Sequence, residues 1–259
     1  MAESLYARAE REKATYETGL RRQTYNRIFR HTHHLYRMKR SELAGRLLRS
    51  VPHATMLEVG CDAWVSFAEP SGIEPETLIC TNIAQRELDM GIAAALDTRL
   101  RPDFRLMDAH KLEFPDQHFD VVFGMSILHH LELEVALREV WRVLKPGGLL
   151  LFAEPLDNNP VGRLVRRFTP QARTSDERPF RSGDLALIEK YFDCDFHYEQ
   201  LLSVPAGVVS GLLLTNPDNP LTRLAFRADE KLAQLLPAVG PYYRFVLIAG
   251  RPRQTPVCS

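Results

Sequence analysis

The chain has 259 residues, long enough for one substantial core or two small ones, and its 45% apolar and 25% charged content is ordinary for a soluble globular protein and argues against disorder. Its 33 basic and 33 acidic side chains cancel, so no chain-wide field draws it to nucleic acid or to an anionic membrane. Cys61, Cys80, Cys194 and Cys258 lack the paired spacing of a zinc or dithiol site. With charge where a signal peptide has its apolar run, this scatter predicts a cytoplasmic protein.

In residues 1–50, Tyr6, Tyr16, Tyr25, Ile28, Phe29, Leu35, Tyr36 and Met38 recur mostly at spacings of three, four or seven. Such spacing draws an aromatic stripe along a helical face, which must be buried. Two or three helices lying as a cap over the main domain are expected. A homodimer through these helices is another way to bury the stripe. The basic cluster RRQTYNRIFRHTHHLYRMKR invites a nucleic-acid reading, but no module for reading bases accompanies it.

From residue 55 five short runs, TMLEV, TLICTNI, DFRLM, HFDVVFG and GLLLFAE, alternate in several places with helical patterns. The alternation predicts a mostly parallel sheet with helices on both faces. ELEVALREVWRVL is the clearest helix, and Lys145, Pro146, Gly147 and Gly148 end it and lead into a strand. The first crossover is weaker, interrupted at Pro70, Ser71 and Gly72. Further on, SGDLALIEKYF reads as a helix, FDCDFHYEQLL and YYRFVLIAG as strands, and TNPDNP breaks residues 201–236 into two helices. The apolar run 201–214 has about 14 residues against the roughly 20 that cross a bilayer, so no membrane insertion is expected.

In an open parallel sheet, ligands sit beyond the carboxyl ends of the strands, where the strand order reverses. That rule selects Gly60, Cys61, Asp62, Asn82, Asp108, Ala109, His110, Met125, Ser126, His129, His130, Glu154 and Asp157. Cys61 reads as a small buried side chain and Trp64 as either core or pocket wall. Asp62 either caps the following turn or reaches a ligand. No metal centre is expected, because His31, His33 and His34 are crowded and His129 and His130 are adjacent.

The succession LEVGC, DAHKLEFPDQHFDVVFGMSILHHL and LREVWRVLKPGGLLLFAEP resembles the class I S-adenosylmethionine-dependent methyltransferases, in particular the small-molecule group called methyltransferase type 11. The similarity covers about residues 50–155. It implies an α/β fold with a Rossmann-like seven-stranded sheet and helices on both faces. To this core, residues 51–259, are added the cap at 1–50 and substrate-covering insertions at about 155–181 and 201–240. The implied cofactor is S-adenosyl-L-methionine. Glu58 and Gly60 would line the first turn, with Asp62 reaching the cofactor's ammonium or ribose. Asn82 stands where the family has an acid for the ribose hydroxyls. Asp108 and the Ala109 N–H would hold the adenine, Ile83 and His110 would flank it, and Met125 and Ser126 would lie under the transferring methyl. His129 and His130 are candidates for a substrate base, for cofactor support or for capping; Glu154 is a candidate catalytic or structural acid.

The departures at Asp62 and Asn82 leave a non-catalytic binding or regulatory protein on the same fold as the alternative to an enzyme. The expected acceptor is a specialised metabolite such as a polyketide, terpenoid or aromatic compound, methylated at O, N or C. Its largely apolar body would lie against Tyr16, Tyr25, Tyr36, Phe168, Phe180, Phe226 and the 201–214 run. Arg163, Arg166, Arg167, Arg173, Arg178 and Arg181 are the candidates for holding any anionic group on it.

Overall fold

The computed structural model describes residues 10–11, 13–14, 23–170 and 178–256, with side chains from residue 26 onward in the first long helix. Tyr6, Tyr16, Arg173, Cys258 and the side chain of Tyr25 lie outside the described residues.

The five runs from residue 55 become strands β1 (Thr55–Val59), β2 (Thr77–Asn82), β3 (Asp103–Leu106), β4 (Phe119–Met125) and β5 (Leu144–Pro155). With β6 (Phe192–Glu199) and β7 (Phe245–Pro252) they form a seven-stranded sheet of order β3-β2-β1-β4-β5-β7-β6. Strands β1 to β5 run parallel, and β7 is inserted antiparallel to both β5 and β6. The strand order reverses between β1 and β4, so the turns following these two strands open at the switch point.

Helices cover both faces, as the alternation predicts. Helix α1 (Gln23–Arg49), the short turns α2 (Ala63–Ser66) and α3 (Ala68–Ser71), and α4 (Gln85–Ala95) follow the chain down one side of β1 and β2. The weak first crossover is this pair of four-residue turns, stopped by Gly72 in the left-handed region. Ala44 and Leu48 of α1 complete the core there with Trp64, Phe67 and Met56. On the opposite face α5 (Leu133–Val143) buries Leu133, Ala136, Leu137, Val140 and Val143, a stripe at helical spacing, against the sheet. Each fully buried Leu or Val there contributes about 1.5–3 kcal/mol of transfer free energy. Helix α7 (Ser182–Tyr191) packs beside α5.

The additions fold onto one another. Helix α6 (Pro160–Phe168) starts at Asn159, whose side chain accepts from Gly162 N at 2.8 Å, with proline in the first turn. The TNPDNP break separates α8 (Ser203–Leu213) from α9 (Pro220–Leu235), and Asn219 caps the latter by accepting from Leu221 N and Thr222 N. Helix α1 lies across α8 so closely that a Cβ on Gly207 would stand 2.7 Å from Thr32 N and nearer still to Thr32 Oγ1. Of the described part of the stripe, Phe29 and Tyr36 are buried within this one chain, Ile28 and Leu35 are half-buried, and Met38 is exposed. Phe29 is buried, with the Arg244 guanidinium over its ring, and Tyr36 packs on Phe226 of α9 and donates to Asp229 at 2.7 Å. A second copy is not needed to cover them.

Candidate active site

The turn after β1 is held from beneath. Glu58 is fully buried, and its Oε1 accepts from the backbone N–H of Asp62 and of Ala63, each at 2.5 Å, while Oε2 accepts from Trp64 N and Cys80 Sγ. Burial raises its pKa to about 7 against these hydrogen bonds, which pull it down. Glu58 therefore caps α2 from the preceding strand and lines neither cavity described below, which removes it from direct contact with a ligand. The cap expected of Asp62 is supplied by Glu58 instead: Asp62 makes no side-chain capping bond, is exposed, and lines both cavities. Gly60 has φ +119, a conformation open to glycine and strained for any side chain. Cys61 is buried, its thiol pKa pushed far up by that burial, and Trp64 is a core residue packed edge-on against Phe104.

Asn82 ends β2 where the sequence placed it, but both ends of its amide are engaged. Nδ2 donates to Gly60 O at 2.7 Å and Oδ1 accepts from Ala84 N at 2.9 Å. It clamps the first turn to the start of α4. The carboxylate on this side comes from Glu87, in the first turn of α4, a residue the sequence reading passed over. Only its place in an acid-bearing first helical turn could have suggested it.

Asp108 Oδ1 accepts from His110 N at 2.9 Å and His110 Nδ1 at 2.7 Å. Burial works against the Asp108 charge, yet the His110 ring and N–H outweigh it and hold the carboxyl below its ordinary pKa. Because Glu132 N donates to His110 Nε2 at 2.8 Å, the ring carries its proton on Nδ1. Val59, Gly60, Ile83, Met107, Ala109, Ile127 and Leu131 complete a narrow cavity of about 90 Å³ with Asp62, Asn82, Glu87, Asp108 and His110.

After β4 the chain passes through Ser126 at φ 55 into the 3₁₀ turn Leu128–His130. Glu154, fully buried in β5, accepts from Ile127 N at 3.0 Å and Leu128 N at 2.9 Å with Oε1, and from His129 Nδ1 at 2.7 Å with Oε2. A carboxylate cannot donate, so Nδ1 of His129 bears the proton and Nε2 is the basic nitrogen. Glu154 lines neither cavity; it orients His129 and does not reach a substrate. His129 and His130 both line a cleft of about 1120 Å³, their rings 4.1 Å apart. The cleft and the narrow cavity share Asp62, Met125, Ser126 and His130.

The cleft walls differ from the expectation. Tyr36, Phe168, Phe180 and Phe226 do not line it, and the 201–214 run forms α8, with Leu212 and Leu213 exposed on the outer surface. Of the six arginines expected to hold an anion, Arg166 alone lines it among the described residues. The cleft arginines come instead from α1, as Arg27, Arg30, Arg37 and Arg40, and from Arg244. Phe67, Val65, Met38 and Phe245 supply its apolar portion. Among the described residues, no group of three or more metal-ligating side chains converges and no helix is long and apolar enough to cross a membrane.

Residues 57–152 match the family model described as a methyltransferase domain. The matched residues hold most of β1, all of β2 to β4, most of β5, and the turns that line the narrow cavity. Similar curated proteins are the ubiquinone/menaquinone biosynthesis C-methyltransferases UbiE. That of Laribacter hongkongensis is 43% identical over 77 residues, 29% of this chain and 31% of the relative. That of Ectopseudomonas mendocina is 49% identical over 72 residues, 27% and 25% of the two chains. The matched part thus spans less than a third of these relatives. Among solved structures, a possible histamine N-methyltransferase of Thermotoga maritima superposes with TM-score 0.58 at 20% identity, covering 92% of this chain and 98% of that one. N-methyltransferase NodS of Bradyrhizobium japonicum, in complex with S-adenosyl-L-homocysteine, gives 0.52 at 14% identity and covers 86% of each chain. At these identities the likeness shows the fold: the seven-stranded sheet is that of the class I, Rossmann-like methyltransferases.

Proposed function

We propose that this chain is a class I methyltransferase that uses S-adenosyl-L-methionine to methylate a small molecule. The observation carrying this reading is the shared wall of Asp62, Met125, Ser126 and His130, where a narrow cavity and a large cleft meet. A two-substrate transfer needs such an arrangement, with donor and acceptor on opposite sides of one junction. The donor-side residues suit the cofactor chemically: Asp108 keeps Oδ2 for an amino group, Asp62 and Glu87 add carboxylates for hydroxyl or ammonium donors, and Ile83, Val59, Ile127 and Leu131 offer an apolar wall.

Bound there, the cofactor would supply an electrophilic methyl group on a sulfonium. The chain's own residues do the remainder. Asp108 and Ala109 hold the base edge, Asp62 and Glu87 hold the polar end, and Met125 and Ser126 form the floor of the junction. His129 is the group to take a proton from the acceptor at Nε2, since Glu154 fixes the other proton on Nδ1. The C-methyltransferase names of the curated relatives make a carbon acceptor the first to test, because carbon must lose a proton after methylation. A specialised metabolite with an apolar portion remains the substrate class proposed, and the cytoplasm the proposed location.

The test is calorimetry with S-adenosylhomocysteine on the wild-type protein and on Asp108→Ala, followed by transfer of labelled methyl to candidate acceptors. Binding that is lost in the variant supports the reading. Wild-type protein that does not bind S-adenosylhomocysteine sinks it and returns the fold to a binding or regulatory role.

A further inference from the structure

The chain as a whole is electrically balanced, but its large cleft is not. Among the described residues six arginines line it, Arg27, Arg30, Arg37, Arg40, Arg166 and Arg244, against a single carboxylate, Asp62. Four of the six sit on α1, whose positions 26, 27, 30, 33, 34 and 37 fall on one helical face turned to the cleft. The same helix turns Phe29, Thr32 and Tyr36 away from it, and all three are buried. The sequence's basic cluster is therefore sorted by the helix into one buried stripe and one cationic wall.

A solvated basic face is ordinarily interleaved with acids. On α1 such pairs occur elsewhere, as Lys39 with Glu230 and Glu42 with Arg46. Deep in the cleft, Arg40 is matched by buried Glu199 at 2.5 Å. Arg27 and Arg37 form no ion pair among the described residues, and Arg30 donates to a neutral acceptor, Thr215 O. His33, between them, is kept neutral by burial and then by Arg244, Arg40 and Arg37, so the local potential there is positive. This wall lies next to the junction: Arg40 Nη1 is 3.9 Å from Met125 Sδ, and Met125 borders both cavities.

We propose that the methyl acceptor is an acidic small molecule whose carboxylate or phosphate is held by Arg37 and His33, with Arg27 and Arg30 at the rim, while its opposite end reaches the junction beside His129. This rests on the methyl-transfer reading. The two anions share the chemistry that guanidinium groups recognise, a pair of adjacent anionic oxygens accepting paired N–H donors. The apolar patch of Phe67, Val65 and Phe245 accommodates the body between the ends.

The experiment uses the full chain at low salt, saturated with S-adenosylhomocysteine, and measures binding of phenyl phosphate, benzoate, uncharged benzyl alcohol and a ten-nucleotide single-stranded RNA. At least one of the two anions should bind, benzyl alcohol should not, and Arg37→Gln or the double change Arg27→Gln with Arg30→Gln should weaken the anion about tenfold. Whichever anion binds names the group. The proposal is overturned if neither anion binds, if the arginine variants bind as the wild type does, or if the RNA binds more tightly than either anion. Cofactor affinity is read separately in each variant. Loss of S-adenosylhomocysteine binding counts against the methyl-transfer reading, whereas retained cofactor binding with no anion site counts against this inference alone.

Discussion

Replacing Glu154 by glutamine tests whether His129 is poised as a base. The carboxylate serves three donors: the N–H groups of Ile127 and Leu128 on Oε1, and His129 Nδ1 on Oε2 at 2.7 Å. The glutamine carbonyl keeps the two backbone bonds, which leaves its NH₂ facing the Nδ1 proton. Two donors in contact, both buried, lose a charge-assisted hydrogen bond of about 1.5–3 kcal/mol. The ring escapes by moving its proton to Nε2, and Nδ1 then accepts from the amide. Nε2 then becomes a donor and can no longer take a proton. If His129 is the base, turnover falls by about 10²–10⁴, the usual contribution of general base catalysis. Ring ¹⁵N spectra of histidine-labelled protein report the tautomer without any substrate, and methyl transfer to an accepted molecule reports the rate. Cofactor affinity should hold, since Glu154 lines neither cavity. Retention of the Nδ1–H tautomer in Glu154→Gln, or wild-type turnover with an unchanged pH profile, refutes the reasoning.

Restoring the carboxylate usual at the end of the second strand, by Asn82→Asp, should weaken cofactor binding about tenfold, because the donor to Gly60 O at 2.7 Å is replaced by an anionic acceptor facing that carbonyl oxygen. Glu87→Gln should weaken it as well, and calorimetry showing tighter binding in Asn82→Asp would contradict the clamp. Gly207→Ala should lower stability by about 1–3 kcal/mol, because the added methyl meets Thr32 where α1 crosses α8; an unaltered urea midpoint would show that the helices can part freely. Glu58 holds a proton in the folded state up to about pH 7, whereas its ordinary pKa is 4.5. Stability from this group is thus full below the lower value and declines as pH rises toward 7, by about 3 kcal/mol at most. Urea unfolding at pH 5 and pH 8 should show this decline in the wild type and not in Glu58→Gln, and parallel behaviour of the two would remove Glu58 as its source.

Much of the molecule is written locally. Branched runs buried on both faces specify parallel strands, the Leu133 to Val143 stripe specifies α5, and Asn219 followed by Pro220 specifies where α9 begins. The switch point follows from the alternation of strands and helices, and it picked out Asn82, Asp108, Met125, Ser126 and His130, all of which border the narrow cavity. What each of these side chains does was not legible, because hydrogen bonds couple residues that are distant in sequence. Glu58 turns inward to cap a helix, Asn82 spends its amide on Gly60 and Ala84, and Glu154 meets His129 across 25 residues. The cleft was least legible of all. Composition averages charge over the whole chain, and helical periodicity tells a buried face from an exposed one without saying what the exposed face looks onto. Only the packing of α1 on α8 and α9 turns its arginines toward the junction and makes a balanced sequence into a cationic pocket.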